Sequence, residues 1–516
     1  MRRKLSFVLA ALLLLTLLGG CSSSSSTKKN GVTGQLPEVT DAMYAADYWI
    51  AKMKSPDTVL LSSSEIGTVN AQIANDEDSG VADLVSYPSS LTSVQLKRYL
   101  NAVSIPTSDL FDADGVQYEE SFFDDLILSI NVENVEETNK VSYAIALTNT
   151  ALRTFPVLAA AYEDAKKPEI DVFQLGQVFV GDPVIILHTN VDNTWFFIQT
   201  RTQRGWVRAT DMIFMEKGSW VSYIETTNFI LVTAPSITLE NNPYSSTMSN
   251  LTLYMGTRLP LYTDDTVPSP VDNRGTAGCY VAKYPTVDRF GYLEYQPLLI
   301  PMTEDVSVGY LPYTAANVVT QALKLTGRRI ASNRIGYGRD SATFVQDLYA
   351  VFGIFMPATT DAQQEILAGD TDMVKMTSAE REKTLGSLTA GTLLYSDDRA
   401  FVLLGVDNKK PYVVSAIDEY YYDNLRNLAN ATVITSLDIV KKDGTLFLDT
   451  LEVAKVFGVV KEKDTATTTA TTTAGKATTT VSGTTSASGT TKAGDQGTTS
   501  SSTKAASTTS STSKKS

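Results

Sequence analysis

Residues 177–214 read QVFVGDPVIILHTNVDNTWFFIQTRTQRGWVRATDMIF, and no other stretch limits the fold so tightly. Short runs rich in β-branched and aromatic residues are cut by turn residues at Gly181-Asp182-Pro183, Asn190–Asn193 and Gln203–Gly205. A helix cannot use that cadence; a succession of short antiparallel strands can, and it suits a small barrel. A second β-rich block follows over about 225–312, where LYMGTRLPLYTDD and FGYLEYQPLLIP read as strands around a Pro/Asp-rich loop at 264–273. The two blocks are not close repeats of each other.

Helical patterns flank this β-rich middle. Met43, Ala46, Trp49, Ile50 and Met53 form one apolar face at helical spacing. Ser62 with Glu65, and Thr92 with Gln95, are capping boxes ahead of apolar runs, so 38–105 is expected to be mostly helical. After 313 the chain turns helical again, with Val318, Val319, Ala322 and Leu323 on one face. Strand candidates then come in series at 391–395, 401–405, 412–416 and 432–436. Helices followed by antiparallel strands is an α+β order. A length of 516 residues leaves room for about three or four domains of roughly 150 residues.

The two ends differ from this body. MRRKLSFVLAALLLLTLLGGCSSSSS has a basic start, an apolar run from Leu5 to Leu18 and then small residues, which is the pattern of an export signal. Leu18-Gly19-Gly20-Cys21 resembles a bacterial lipobox, in which the thiol receives a diacylglycerol and the chain is cut before the Cys. At about 0.8 kcal/mol per buried methylene, a lipidated Cys21 is expected to hold the protein on the extracytoplasmic face of a membrane. Ser22–Pro37 reads as a flexible tether. From about 461 to 516 the chain is Thr, Ser, Ala, Gly and Lys, too poor in apolar surface to offset the entropy of ordering, so disorder is expected there.

Charge and residue counts exclude several classes. The formal net charge is −14, with +5 in residues 1–30 and +4 in 461–516, which leaves −23 on the body between them. So acidic a body repels phosphate backbones, and nucleic acid is not an expected partner. The chain has two Cys, Cys21 and Cys279, so with Cys21 lipidated no intramolecular disulfide can form. Cys279 has no base near it in sequence and reads as a loop or strand-start residue. The single His, His188, ends an apolar run and reads as a packed or rim residue; without partner ligands, no metal or cofactor is expected.

The candidate chemistry lies in GYGRDSATFVQDLYAVFG, residues 336–353. A glycine-flanked approach, Gly336 to Gly338, runs through Arg339-Asp340 into an amphipathic helix starting at Ser341, where a nucleophile would sit. RDSATFVQDLYAVFGIFMP is similar to the active-site helix of NlpC-type cell-wall peptidases, a papain-like family. GTLLYSDDRAFVLLG and KPYVVSA resemble that family's two following strands. Upstream, VLLSSSEIGTVNAQI and VADLVSYPSSLTSVQL resemble the helical stabilising region of its three-part branch. FVGDPVIILHTNVDNTWFFIQTRTQRGWV resembles the branch's first bacterial SH3-like domain, and YMGTRLPL with VGYLPYTAANVVTQAL its second. The resemblance covers most of 40–420. It implies cleavage of peptide stems of the bacterial wall, typically after D-glutamate, with the first SH3-like domain shaping the site.

The same resemblance implies that the catalytic residues are lost. Ser341 stands where the family has its Cys, Arg399 where it has the catalytic His, and Ser415 where this branch has a second His. Ile330–Arg334 keeps nothing of the family's Tyr-x-Trp-Gly-Gly approach. A Cys at a helix start is activated because its thiolate is accessible, with a pKa lowered to ~3.5–7.5. A Ser hydroxyl needs a base in contact, and Arg399, with a pKa above ~12, cannot be one. No His lies in 314–460, and Lys409 and Lys410 sit on a turn expected at the far end of the strands. Ser341 therefore reads as a relic, suited to capping its helix.

The expected architecture is a multidomain α+β chain. It comprises a lipoprotein signal with Cys21 (1–21), a tether (22–37), a small all-helical region (38–140), two SH3-like β-barrels (141–218 and 219–313), a degenerate papain-like NlpC-type domain (314–460) and a disordered tail (461–516). The expected function is a non-catalytic surface module that binds wall peptide in the old cleft or scaffolds wall proteins. Two alternatives stay open: an active D-glutamyl-diamino acid endopeptidase with a Ser-centred site, and a structural spacer.

Overall fold

The computed structural model describes residues 36–457, apart from 77–78, 103–104, 106–107, 264 and 367–368. The export signal, Cys21, the tether up to residue 35 and the Thr/Ser-rich tail lie outside the described residues. Among the described residues no helix is long and apolar enough to cross a membrane.

The strand cadence at 177–214 becomes part of a seven-stranded antiparallel sheet. Its order is Met212–Met215, Ser142–Ala146, Pro183–Thr189, Trp195–Gln199, Arg204–Arg208, Thr150–Arg153, Gln174–Val178. Period-two alternation splits its side chains cleanly. Ala144, Val184, Ile186, Phe196, Ile198 and Val207 pack on one face, while Ile145, Ile185, Leu187, Phe197, Trp206 and Ile213 pack on the other. A sheet buried on both faces reads as nearly continuous apolar sequence, which is why these runs show so few polar positions. Trp220, from the helix Lys217–Glu225, seals the second face and donates its indole N–H to the Ala144 carbonyl at 2.9 Å.

The next block is built from three small sheets: Phe229–Val232 with Arg258–Pro260 and Val306–Val308, Ser236–Thr238 with Thr252–Tyr254, and the long hairpin Cys279–Val287 with Leu293–Pro301. Its core of Ile230, Val232, Leu253, Leu259, Ala282 and Ile300 also takes in Val180 from the first sheet's turn. Cys279 is buried and opens its strand.

The C-terminal part holds a six-stranded antiparallel sheet in the order Gly369–Asp372, Val453–Val456, Leu393–Ser396, Arg399–Asp407, Lys410–Tyr422, Leu425–Thr435. The helices Ala315–Lys324 and Ser341–Ala350 pack on it, giving the expected helices-then-strands order.

The segment before 140 contains helices, with both capping boxes formed at Ser62 and Thr92, but it does not build a core of its own. Residues 36–81 bury Leu36, Met43, Trp49, Ile66, Val69 and Ile73 in the core of the C-terminal sheet. Leu84, Leu91, Leu96, Leu100, Leu126 and Ile130 instead cover one face of the seven-stranded sheet. Short strands also appear, and Val59–Leu61 pairs with Tyr313–Thr314. Apolar side chains spread thinly over several short helices cannot enclose themselves, so each group buries its face against the nearest sheet.

Candidate functional site

The helix Ser341–Ala350 begins at a tightly held turn. The preceding segment Ser332–Tyr337 is not regular helix: Asn333, Arg334, Gly336 and Tyr337 all have left-handed backbones, with φ of 48°, 65°, 55° and 59°. Gly338 cannot be replaced without movement, because a Cβ there would lie 2.6 Å from that of Ala331. Buried ion pairs fix the turn: Asp347 takes Arg334 on one carboxylate oxygen and Arg339 on the other, the latter at 2.6 Å. Tyr337 stacks on Tyr254 at 4.0 Å. Asn333 exchanges two hydrogen bonds with the backbone and side chain of Gln174, at 2.8 and 2.9 Å, so the edge of the seven-stranded sheet holds the approach in place.

The cap expected of Ser341 belongs to its neighbour. Asp340 accepts from the Thr343 N–H at 2.8 Å, while Thr343 Oγ1 takes the Asp340 N–H at 2.9 Å, a complete capping box. The other Asp340 oxygen accepts the Asn333 N–H at 2.7 Å. Ser341 is thus the first helical residue, and its hydroxyl makes no hydrogen bond with any described residue. With the Asp340 carboxylate already accepting the Thr343 N–H, the N-cap role is filled by the residue before the serine.

Ser341 and Arg399 line the same cleft, of about 570 Å³. Arg399 begins the strand Arg399–Asp407 and lines the cleft. It donates to the Ala416 carbonyl at 2.6 Å and to Asp418 at 3.2 Å, and it pairs with Asp398. Burial pushes the Asp398 carboxyl up, but Arg399 and Lys441 outweigh this and hold it below its ordinary value. The Nε of Arg399 is buried with no partner among the described residues.

Ser415 is not part of the cleft. It is fully buried and donates to the Ala400 carbonyl at 2.7 Å, while Ala416 and Asp418 of the same strand line the cleft. The expected placement of Ser415 at the site is therefore corrected by one residue or more. Lys409 and Lys410 do not reach the cleft either; Lys410 binds Glu38 and Asp438.

Two lining residues, Lys167 and Glu169, come from the segment leading into the seven-stranded sheet. Sequence reasoning missed both, because they sit in a turn-rich stretch with no motif of its own. The cleft gathers three cations, Lys167, Arg399 and Arg426, against five carboxylates, Glu169, Asp340, Asp398, Asp418 and Glu419. The carboxylates are largely engaged: Asp340 in the cap, Asp398 and Asp418 by Arg399, and Glu419 by Arg426 at 2.5 Å. Among the described residues no thiol or imidazole lines it.

His188 is far from this chemistry in role: its Nε2 lies 3.1 Å from the Asn131 carbonyl and its ring packs edge-on against Trp206. Burial holds it below the usual imidazole range, against the pull of the Asn131 and Ile130 carbonyls.

Residues 156–208 match the family described as SH3 domain (SH3b1 type). No curated protein matches the chain in sequence. Among solved structures, the chain is similar to an NlpC/P60 endopeptidase from Photobacterium damselae subsp. piscicida, at 15% identity and a TM-score of 0.63, covering 81% of this chain and 97% of that one. An NlpC/P60 family protein from Bacillus cereus ATCC 10987 aligns at 14% identity and a TM-score of 0.40, covering 61% of this chain and 99% of that one. The chain thus carries an SH3b domain within a mixed α+β body that shares the fold of an NlpC/P60 endopeptidase over most of its length.

Proposed function

We propose that this protein is a non-catalytic relative of NlpC-type peptidases that holds peptides of the bacterial cell wall in an open cleft. The observation that carries the reading is the cleft itself. It is about 570 Å³ in volume and brings together Ser341 and Arg399, the residues that the sequence resemblance would set in place of a nucleophile and a histidine. Cysteine-peptidase chemistry needs a thiolate and an imidazole together. The chain's single His is His188, and Cys279 starts a strand of another sheet. Arg399 stays protonated and cannot take a proton from Ser341. Glu169, a lining carboxylate without a side-chain partner among the described residues, favours a peptide that brings an amine, as a diamino-acid stem does.

In this reading 141–218 and 219–313 are SH3-like barrels standing on a papain-like domain at 314–460, and the first barrel contributes one wall of the cleft through Lys167 and Glu169. Cys21 carries lipid and keeps the protein on the extracytoplasmic face of the membrane.

The test has two arms. Purified wall and a D-glutamyl-diamino acid stem peptide are offered to the protein; binding is measured by sedimentation and titration, and product by mass spectrometry. Binding without product is expected. Turnover by the wild type that disappears in Ser341→Ala would overturn the non-catalytic reading. Absence of binding to both wall and peptide would overturn the module reading and favour a spacer. Lipidation is checked with a labelled fatty acid, where equal label on wild type and Cys21→Ala rules the anchor out.

A further inference from the structure

A second cavity, of about 140 Å³, lies where the seven-stranded sheet, the three-stranded sheet of the second block and the helix Ser341–Ala350 meet. Neither Ser341 nor Arg399 lines it, so it is separate from the cleft. Its charged lining is Arg201, Arg258 and Arg334 against Asp182 and Asp347.

Those charges do not balance. Asp347 is already shared by Arg334 and by Arg339 behind it, one arginine on each oxygen. Asp182 accepts the Phe179 N–H at 2.8 Å and forms no ion pair with Arg201 or Arg258. The Arg201 guanidinium lies over the Phe355 ring at 4.5 Å and makes no hydrogen bond with any described residue. Arg258 stacks on Phe229 at 4.0 Å and gives one amino group to the carbonyls of Ile224 and Thr226, while its Nε is buried with no partner among the described residues. Desolvation lowers the pKa of Arg258, with the charge of Arg201 acting in the same direction against the opposing effect of Tyr310 and Tyr223.

Four cations and two anions therefore surround or back one small space. Arg201 and Arg258 are each partly buried; holding cations partly out of water without a counter-charge is costly, and an anion that accepts from both guanidinium groups offsets that cost. The planar fork of arginine suits carboxylates and tetrahedral oxyanions alike. The space is ample for one such group.

We propose that this cavity is a binding site for a small anion, a carboxylate or a phosphate-like oxyanion, held by Arg201 and Arg258 and linking the two β-rich blocks to the C-terminal part. The site is independent of what the Ser341 cleft holds. An anion seated there stabilises the arrangement of the three parts, because it binds only where all three meet.

The experiment is isothermal titration of the full chain, dialysed into chloride buffer free of oxyanions, with inorganic phosphate in one arm and acetate in the other. Ionic strength is held constant with chloride, and a thermal melt is recorded at each concentration. Saturable binding of at least one probe with a parallel rise in melting temperature is expected, and the arm that saturates identifies the source as phosphate-like or carboxylate. Arg201→Gln is expected to weaken binding by about ten- to a hundredfold, the loss of one charge-assisted contact. Arg201 is only partly buried, so this variant keeps the fold even where Arg258→Gln, which also releases two carbonyls, does not. No saturable binding by either probe overturns the proposal. So does a melting shift that is undiminished in Arg201→Gln, which would mark a general ion effect.

Discussion

Asp340 and Ser341 are adjacent, and their roles are easily exchanged when only the sequence is read. Both residue types cap helices well, and the sequence places them side by side at the helix mouth. What separates them is the third residue of the helix, Thr343, which closes the box with Asp340. Asp340→Ala is therefore expected to cost about 0.5–2 kcal/mol in denaturant unfolding. Ser341→Ala, which removes a hydroxyl with no partner among the described residues, should stay within about 0.5 kcal/mol of wild type. A larger loss for Ser341 would mean that its hydroxyl supports the turn. Asp182 gives a second test at this scale. Desolvation pushes its carboxyl up to about 6 from an ordinary 3.8. The folded protein thus holds the Asp182 proton more tightly than the unfolded chain. That contribution to stability is fully present below pH 3.8 and is lost as pH rises through about 6. Asp182→Asn keeps an acceptor for Phe179 and should remove this part of the pH dependence. Unfolding curves of both proteins across that range check it, and parallel pH profiles would sink the assignment.

Most elements are legible in the sequence, and the failures have physical causes. Turn residues and β-branched runs mark the strands of 177–214, and capping boxes mark the helices at 63–74 and 93–100. The facing of Ser415 is not legible. The strand Lys410–Tyr422 is buried on both sides over 411–417, so its sequence lacks the polar alternation that would show which residues face the cleft. The partner of the segment at 36–81 is hidden for a different reason. An apolar helix face shows that something covers it, not which sheet does. Trp49 makes the point: it is almost fully buried, donates to the Met43 carbonyl at 2.7 Å and packs at 5.5 Å against Tyr412, far later in the chain. Trp49→Ala should destabilise the C-terminal sheet by about 3–5 kcal/mol. Hydrogen exchange at 402–414 would report it; unchanged protection there would mean that the helical segment is an appendage rather than part of that core.

At the scale of the whole molecule, the cleft is made by parts distant in sequence: Lys167 and Glu169 beside the first sheet, the turn at 330–342, and three strands of the last sheet. The Gln174–Asn333 exchange ties the first of these to the second. In the proposed reading this arrangement could position a nucleophile but lacks the reacting groups, and that can be tested by supplying them. Ser341→Cys alone should give no turnover of a stem peptide, since a thiol without an imidazole lacks both the base for attack and the acid for the leaving amine. Adding Arg399→His places an imidazole at the position whose side chain now reaches Asp418 at 3.2 Å, a carboxylate able to orient it. The double variant is expected to show at most trace turnover, because two changes leave the approach at 330–334 as it is. Adding Ser415→His should not help, because Ser415 is fully buried and turned from the cleft; overpacking there should cost about 1–3 kcal/mol instead. Mass spectrometry of the products and denaturant unfolding of the three variants check this series. Turnover that appears only once the Ser415→His change is added would place Ser415 at the site after all and reverse the facing of that strand.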